Sequence, residues 1–286
     1  MVAMILVTGA TGTIGSEVVR QLAARGDKVR ALTRDPAGAR VPHGVEVVRG
    51  DYLDPGSLEA ALSGVTAAFL VGVPGPGTRH DADLVAAVRA AGVPRLVKLS
   101  AIGTGDPDLG PTASWHVEGE RAVRDSGAEW TILRPSSFAS NTLSWADAIR
   151  AGEPVPNLTG DGPQGVVDPR DVSEVAVRAL VEERHAGETY TLTGPETISV
   201  PGQAAVLSEI LGRPLTARDL SAEEIREYAL GWGMGDEAAD GLLVATAFVR
   251  RGGNAVVTPA VPDILGRPAR TYREWARDHK GMFGEA

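Results

Sequence analysis

Short apolar runs alternate with amphipathic segments through the first half of the chain. The run at 4–7 is followed by a segment in which apolar residues recur three or four positions apart, as at Ile14, Val18 and Leu22. A short continuous run is typical of a strand buried on both faces, whereas the second spacing places an apolar stripe on one face of a helix. Gly26 follows that stripe and is expected to end the helix.

The same alternation continues to residue 135. Strands are expected at 4–7, 28–34, 45–50, 67–73, 95–100 and 130–135. Further helices are expected at 58–62, 81–91 and 113–126. Since buried parallel strands need helical connections, the pattern predicts an α/β fold with a doubly wound, mostly parallel sheet.

Glycine and proline interrupt this pattern after residue 135. Helices are still expected at 171–183, 200–211 and 222–230, and a seventh strand at 190–193. We therefore expect one domain over 1–140 and a smaller C-terminal α/β lobe over 141–286, which returns to the sheet through segments near 165–193.

Three glycines, Gly9, Gly12 and Gly15, stand at three-residue intervals between the first strand and the first helix. Gly9 would allow a sharp turn, Gly12 would let a phosphate approach the backbone, and Gly15 would let the helix pack close to the sheet. The N–H groups at the helix start would then face the anion. A plain tight turn is the alternative, but the surrounding strand–helix–strand order favours a dinucleotide site.

The segment V-T-G-A-T-G-T-I-G resembles the start of the NmrA-like group of atypical short-chain dehydrogenases/reductases. That group includes NAD(P)H:quinone oxidoreductases, azoreductase-like proteins and cofactor-sensing regulators. The resemblance implies that 1–140 is an NAD(P)-binding Rossmann domain and that 141–286 is a substrate lobe closing over the nicotinamide end. The cofactor contacts expected within the motif are Gly9, Thr11, Gly12, Thr13 and Ile14.

The end of the second strand, A-L-T-R-D, bears on the choice between NAD and NADP. An acidic residue there would accept hydrogen bonds from both ribose hydroxyls and favour NAD. Arg34 stands near that position, and its guanidinium could hold a 2′-phosphate through paired hydrogen bonds. We predict NADP as the cofactor, with NADPH preferred over NADH. A solvated pair between Arg34 and Asp35 is the alternative.

Asp51 and Tyr52 follow the third strand in R-G-D-Y-L-D. The resemblance implies that Asp51 accepts from the adenine amino group and that Tyr52 lines the ring. Capping of the next helix is the alternative role of Asp51, although Asp54 and Ser57 are better placed for it.

The fourth strand is expected to pass the ribose through the backbone of Val71, Gly72 and Val73, again by resemblance. The following P-G-P-G segment at 74–77 is interpreted as a connector, with a rigid rim of the site as the alternative. Both features belong to the carboxyl edge of the predicted sheet, where doubly wound folds bind ligands.

Classical short-chain dehydrogenases use a Tyr and a Lys four residues apart on one helix face, and the Tyr protonates the substrate oxygen. This chain has no such pair, because the residues four positions after its tyrosines are Gly56, Gly194, Trp232 and Ala276. In the corresponding helix His116 stands at the place of the tyrosine and Glu120 at that of the lysine.

The His-x-Glu-x-Glu pattern of NmrA-like quinone oxidoreductases is matched by His116, Glu118 and Glu120, with Arg121 in place of the family's lysine. His116 is a candidate general acid, and Glu120, one helical turn later, is its expected charge partner. A half-exposed histidine beside Trp115 without a catalytic role is the alternative. Glu118 points off that face and is expected to be solvated.

Ser100 ends the fifth strand, at the position of the substrate-orienting serine of classical members. A cap or turn is its alternative role. The catalytic candidates are therefore His116, Ser100 and Glu120, and Ser100 is also a candidate cofactor contact. Lys98 lies two residues earlier on the same strand face and is expected to be a surface lysine rather than a cofactor contact.

Pro135, at the end of the sixth strand, begins a segment with Ser136 and Ser137 whose backbone is expected to meet the nicotinamide amide. Phe138 and Asn141 come next. The resemblance implies that these two residues line the substrate pocket, with core or capping roles as the alternative.

The missing Tyr-Lys pair limits the reaction, because reducing an ordinary ketone creates a basic alkoxide that needs a placed acid. A reduced quinone is a far more stable anion that water can protonate, so positioning NADPH against a flat acceptor would suffice. We predict an NADPH-dependent oxidoreductase that transfers hydride to a quinone, azo or other conjugated carbonyl acceptor. The alternatives are an NADP-binding sensor without turnover and a reductase or isomerase that tailors a secondary metabolite.

Composition limits the classes of molecule that the protein is expected to bind. A net charge of −9 without a basic run argues against nucleic acid and anionic membranes. The chain has no cysteine and its five histidines are scattered, so no metal site is expected. With no leader or long apolar segment visible, we expect a cytoplasmic protein acting on a small molecule. A homodimer is left open, since Trp232, Trp275 and Phe283 could form an interface patch or pack in the core.

Overall fold

A computed structural model describes residues 3–72 and 80–284. Val73 and the predicted connector at 74–77 lie outside the described residues. The chain divides into two compact units. The first unit comprises Met1–Gly105, Ser114–Pro135 and Pro169–Thr191. The second unit comprises Asp106–Ala113, Ser136–Asp168 and Leu192–Ala286.

The described strands, in chain order, are β1 (Met4–Val7), β2 (Lys28–Thr33), β3 (Glu46–Arg49), β4 (Val65–Val71), β5 (Arg95–Leu99), β6 (Glu129–Pro135), β7 (Val155–Asn157), β8 (Glu188–Leu192) and β9 (Ala217–Asp219). Within the described chain, seven of them form one sheet in the order β3-β2-β1-β4-β5-β6-β8. The pairs from β3 across to β6 are all parallel. The predicted doubly wound, mostly parallel sheet is therefore confirmed.

The strand order reverses between β1 and β4, which are neighbours in the sheet although two strands separate them in the chain. Their short apolar runs are buried, with Leu6 and Phe69 both completely covered. In doubly wound sheets, ligands bind in the crevice at the carboxyl ends of the strands where the order reverses. The residues that follow β1 and β4 are therefore the first place to look for a site.

The described α-helices are α1 (Thr13–Arg25), α2 (Pro55–Leu62), α3 (His80–Ala90), α4 (Val117–Arg124), α5 (Ala146–Ala151), α6 (Pro169–Val181), α7 (Val200–Leu211), α8 (Ala222–Gly231), α9 (Asp236–Arg250), α10 (Ala260–Leu265) and α11 (Tyr272–Asp278). The first of them follows the prediction closely. Its apolar stripe at Ile14, Val18 and Leu22 is buried, and it ends at Gly26, whose φ is 84°. No described helix is long and apolar enough to cross a membrane.

The predicted helix at 113–126 is wrong in its first part. A 3₁₀ segment, Pro107–Ser114, precedes α4 and is broken at Gly110, where φ is 52° and ψ is −137°. Because α4 begins only at Val117, His116 is the residue that precedes the helix rather than one within it.

The second unit has its own core, in which Trp145, Tyr272 and Trp275 pack together with Phe283. Trp275 and Phe283 are 1% and 0% exposed, so they are core residues and not an interface patch. Trp232, the third residue of the predicted patch, is 62% exposed. In this unit β7 pairs in parallel with β9.

Candidate functional site

The glycine motif forms a turn that only glycine can fill at two of its positions. Gly9 follows β1 with a φ of 60°, which residues with a Cβ rarely adopt. A Cβ on Gly9 would lie 3.0 Å from the Cβ of Val71, and a Cβ on Gly15 would lie 2.2 Å from the carbonyl oxygen of Gly9. The close packing of α1 on this turn therefore requires glycine at both residues.

Unlike Gly9 and Gly15, Gly12 is not required to be glycine by packing within the protein, which leaves room for a Cβ at this position. A Cβ there would meet the Gly9 carbonyl oxygen at 3.4 Å, an ordinary contact, and its φ of −86° and ψ of 175° suit any residue. The flanking Thr11 and Thr13 are exposed, whereas the Ile14 side chain is buried, so that Ile14 can offer a ligand only its backbone. This geometry fits a phosphate at the start of α1.

A cavity of about 260 Å³ lies at the carboxyl ends of β1 to β4. Its walls contain six of the predicted cofactor contacts: Gly9, Thr11, Arg34, Asp51, Tyr52 and Val71. Leu53, which is 77% exposed, and His80 also line it, and the sequence analysis missed both. A solvent-exposed leucine beside a cavity offers an apolar surface on which a flat ring can pack.

The charged residues at the end of β2 do not neutralise each other. Asp35 Oδ1 accepts hydrogen bonds from the N–H groups of Ala37 and Gly38, at 3.1 and 3.2 Å. Arg34 is exposed and forms no ion pair within residues 3–72 and 80–284. The alternative of an Arg34–Asp35 pair is therefore not formed, and the guanidinium on the cavity wall keeps its donors for a ligand.

Asp51 and Tyr52 are held in place by local hydrogen bonds. Asp51 Oδ1 accepts from the Leu53 N–H at 3.0 Å, and the Tyr52 hydroxyl donates to the Val71 carbonyl at 2.6 Å. Burial raises the pKa of Tyr52, with the charge of Asp81 acting in the same direction. The Tyr52 hydroxyl therefore stays protonated, and its ring is a fixed part of the wall. Asp54 caps α2, as expected.

Ser100 and Glu120 belong to a buried ion cluster. Glu120 is 1% exposed, and its carboxylate accepts two hydrogen bonds from Arg134, at 2.8 and 2.7 Å, and one from the Ser100 hydroxyl at 2.6 Å. Arg124 approaches the same carboxylate at 3.0 Å. The Ser100 hydroxyl also lies 3.2 Å from the hydroxyl of Thr104.

This cluster corrects the expected role of Glu120. Burial acts to raise the pKa of Glu120, but the hydrogen bonds from Arg134 and Ser100 and the arginine charges outweigh it and hold the pKa below its usual value. Glu120 is therefore an ionised anchor that ties β5, α4 and β6 together, rather than the charge partner of His116. Glu118 is exposed, as predicted, and Arg121 is 84% exposed on the solvent side of α4.

A second buried cluster stands beside His116. Lys98 is completely buried, so the expectation of a surface lysine is wrong. Its Nζ donates to Asp81 Oδ2 at 2.5 Å and to the Leu99 carbonyl at 3.2 Å. The same Asp81 oxygen lies 3.8 Å from Nδ1 of His116, which is buried and has no hydrogen-bond partner in the described chain. Asp81 is thus the carboxylate that faces His116.

Two glycines make room for the Asp81 carboxylate. A Cβ on Gly72 would lie 1.8 Å from Asp81 Oδ1, and one on Gly119 would lie 2.3 Å from Asp81 Oδ2. Burial acts to raise the pKa of Asp81, but His116 and Lys98 lower it further than burial raises it. Burial also lowers the pKa of Lys98, while Asp81 opposes that effect. The predicted contact Gly72 therefore has a structural reason to be glycine.

The second unit contains a separate cavity of about 310 Å³, lined mainly by apolar and aromatic residues. Phe138 and Asn141, the two predicted substrate contacts, both lie on its wall, together with Gln164 and Tyr228. Pro135, predicted to meet the nicotinamide, ends β6, and its carbonyl accepts from the Ile102 N–H at 3.0 Å. Within residues 3–72 and 80–284, no group of three or more histidine or acidic side chains could hold a metal ion.

Comparison with known proteins identifies what the chain resembles. A family model described as NAD(P)H-binding matches residues 9–183. The "(4-alkanoyl-5-oxo-2,5-dihydrofuran-3-yl)methyl phosphate reductase" of Streptomyces griseus is 45% identical over 282 residues, which cover 98% of this chain and 99% of that protein. The NAD(P)H azoreductase of Xenophilus azovorans is 37% identical over 286 residues, covering 99% of this chain and 100% of that protein.

A solved structure is similar over nearly the same length. The NADPH-dependent quinone oxidoreductase of Escherichia coli, solved in complex with NADPH, superposes with a TM-score of 0.83 and 28% identity. The match covers 97% of this chain and 99% of that one. The predicted resemblance to quinone oxidoreductases and azoreductases is therefore confirmed.

Proposed function

The chain belongs to the NAD(P)H-binding family of the matched model, and from that premise we propose that it is an NADPH-dependent oxidoreductase. It transfers hydride to a quinone, azo or other conjugated carbonyl acceptor without a Tyr-Lys pair. The observation that carries the proposal is the cavity at the ends of β1 to β4, which is lined by the glycine turn and by Arg34, a residue without an ion-pair partner in residues 3–72 and 80–284.

Arg34 supports NADPH over NADH. Its guanidinium stands on the cavity wall without an ion-pair partner in the described chain, while Asp35, the residue that could have favoured NAD, uses its carboxylate to hold a turn. A guanidinium can bind a 2′-phosphate through two parallel charge-assisted hydrogen bonds. Tyr52 and Leu53 would pack on the adenine, and the start of α1 would hold the pyrophosphate.

For this reaction the protein mainly has to position the cofactor and the acceptor. Bound NADPH supplies the hydride. The turn at Gly9 and Gly12 and the wall at Tyr52 fix the cofactor, and the Phe138 cavity takes the acceptor. Quinones and conjugated carbonyls yield stabilised anions, so protonation can come from water or from His116, whose ring faces the ionised Asp81.

One observation favours an unsaturated carbonyl compound among these acceptors. The relative with 45% identity is a reductase whose named substrate has a ring double bond conjugated with carbonyl groups. Hydride addition to such a double bond gives an enolate, which is also a stabilised anion. The same cofactor site and the same lack of a Tyr-Lys pair serve this reaction equally well.

The proposal is tested by NADPH absorbance decay with a panel of quinones, azo dyes and unsaturated lactones, repeated with NADH. We expect acceptor-dependent decay that is faster with NADPH. Tight NADP binding by calorimetry with no decay for any acceptor would contradict the proposal and favour a cofactor sensor. A cytoplasmic location and a homodimer stay predictions, the second checked by light scattering.

The role of His116 needs its own variant. His116→Ala is expected to lower kcat at least about tenfold while leaving the NADPH Kd unchanged, because a placed acid contributes that much or more. His43→Ala removes an exposed histidine and is the matched control. If the His116 variant loses activity only in proportion to its loss of folded protein, this result would contradict a catalytic role for His116.

A further inference from the structure

The orientation of the Gln164 side chain in the second unit is set by a directional chain of hydrogen bonds. The Ser136 hydroxyl donates to Asn254 Oδ1 at 3.1 Å, which leaves the Asn254 amide nitrogen to donate to Gln164 Oε1 at 3.4 Å. The Ser137 hydroxyl donates to the same Gln164 oxygen. Ser136, Gln164 and Asn254 are 5%, 7% and 5% exposed, so the hydrogen bonds between them are shielded from water.

The consequence is that Gln164 faces its surroundings as a donor. Its carbonyl oxygen already accepts from two groups, and its amide nitrogen has no hydrogen-bond partner in the part of the protein that is described. Gln164 lies on the wall of the 310 Å³ cavity. An NH₂ group fixed in this way takes its acceptor from the cavity, either a water molecule or a ligand oxygen that replaces it.

Thr159 adds a second donor on the same wall. Its hydroxyl oxygen is buried without a partner in the described chain, and the residue is 8% exposed. Its backbone N–H donates to Asn157 Oδ1 at 3.1 Å, while the Asn157 amide donates to Asp219 at 2.6 Å and to the Gly160 carbonyl at 3.1 Å. The loop is therefore braced, and a ligand oxygen is the natural partner for the hydroxyl.

We propose that this cavity selects its acceptor through carbonyl oxygens, with the Gln164 amide and the Thr159 hydroxyl as the donors. The preferred occupant is a flat conjugated carbonyl compound, such as a quinone or an unsaturated lactone, which binds more tightly than an azo compound. Phe138, Trp145 and Tyr228 supply the apolar surface for its ring system. This identification of the acceptor class rests on the proposed function, whereas the binding preference can be measured without turnover.

The selectivity arises because ligands with and without a carbonyl oxygen differ in whether they pair with the two donors. A ligand that offers a carbonyl oxygen can pair with the Gln164 NH₂ and the Thr159 hydroxyl, while one without a strong acceptor leaves both donors without a partner in the cavity. Such a site rejects a ligand that lacks the oxygen more strongly than an apolar pocket rejects a change of shape.

The test measures the binding of menadione, of methylnaphthalene, which has the same ring system without carbonyls, and of azobenzene to the full chain with NADP⁺ by calorimetry. We expect menadione to bind at least about tenfold more tightly than either. Gln164→Glu keeps an acceptor oxygen for Ser137 but removes the NH₂, and Thr159→Val removes the hydroxyl. Each variant should weaken menadione about tenfold or more and methylnaphthalene less than about twofold.

Thr246→Val is the matched control, because this threonine lies on the same wall but its hydroxyl already donates to the Leu243 carbonyl at 3.0 Å. Its menadione Kd should change less than about twofold. Equal affinity for menadione and methylnaphthalene, equal losses for both ligands in the Gln164 variant, or tighter binding of azobenzene would each overturn the proposal. Carbonyl-selective binding without NADPH consumption would uphold it and contradict the proposed function instead.

Discussion

Replacing Lys98 by methionine tests whether the buried cluster is an interdependent unit. Lys98 is completely buried, and its ammonium lies 2.5 Å from the Asp81 carboxylate, which is 13% exposed. Methionine keeps most of the length of the side chain but removes the charge. The Asp81 carboxylate would then keep only the His116 ring, at 3.8 Å, as a partner among the ion-pair contacts described.

The magnitude follows from that geometry. At 2.5 Å and an effective dielectric constant of about 20, the attraction is about 7 kcal/mol. The desolvation of both ions offsets part of it, and removing one partner of a buried pair typically lowers the free energy of unfolding by about 3–5 kcal/mol. We expect Lys98→Met to fall in that range. The neutral double variant, Lys98→Met with Asp81→Asn, should lose less than about 2 kcal/mol because no uncompensated charge remains.

The assay is urea unfolding followed by circular dichroism, with NADPH absent from all samples. Asparagine is isosteric with aspartate, so the space made by Gly72 and Gly119 is used in the same way in the double variant. Two results would refute the reasoning: a double variant no more stable than Lys98→Met, or effects of the single variants that simply add.

Three further outcomes are expected. Gly12→Ala should leave the urea midpoint unchanged but weaken NADPH binding about tenfold or more. Gly15→Ala should destabilise the fold, because its Cβ would lie 2.2 Å from the Gly9 oxygen. Similar stability of the two variants would contradict this expectation. Arg34→Ala should weaken NADPH about tenfold or more and leave the NADH Kd within about twofold, and an equal loss for both would remove its role in phosphate binding. Because the pKa of Glu120 is lowered by folding, its ionised form stabilises the fold above the unfolded-state pKa of about 4.3, and this contribution is lost as the pH falls through the lower folded-state pKa. The Tm difference between the wild type and Glu120→Gln should therefore shrink on acidification, and a difference that stays constant with pH would count against it.

The sheet and the residues that line the cavity at the ends of β1 to β4 could be predicted because their signals are local. The two central strands β1 and β4 are short and largely apolar runs, and the turn after β1 needs glycine at positions that the sequence itself displays. Parallel order then brings the ends of β1 to β4 together, so Arg34, Asp51 and Tyr52 meet on one wall without any long-range information beyond the fold.

The charged clusters could not be predicted in the same way. Lys98, Asp81 and His116 come from β5, the start of α3 and the residue before α4, and their contacts depend on how these elements pack. The one available signal was a lysine among the apolar residues of the strand R-L-V-K-L, and this lysine was interpreted as a surface residue. Helical spacing also suggested that Glu120 would face His116, but two arginines compete for its carboxylate.

The second unit was the least predictable part. β7 and β9 have three residues each, and α10 and α11 have six and seven, so these elements left weak periodic signals. The 15-residue helix α9 was not predicted either. The hydrogen bonds that orient Gln164 join side chains up to 118 residues apart in the sequence. Such contacts appear only after the fold is known.

The central claim is hydride transfer from NADPH to a conjugated acceptor, and single-turnover kinetics with NADPH deuterated at the transferred position test it most directly. With the protein in excess and menadione as the acceptor, we predict absorbance decay that is slower for the deuterated cofactor than for the protiated one. Decay at the same rate whether or not menadione is present, despite saturating cofactor binding, would contradict the account.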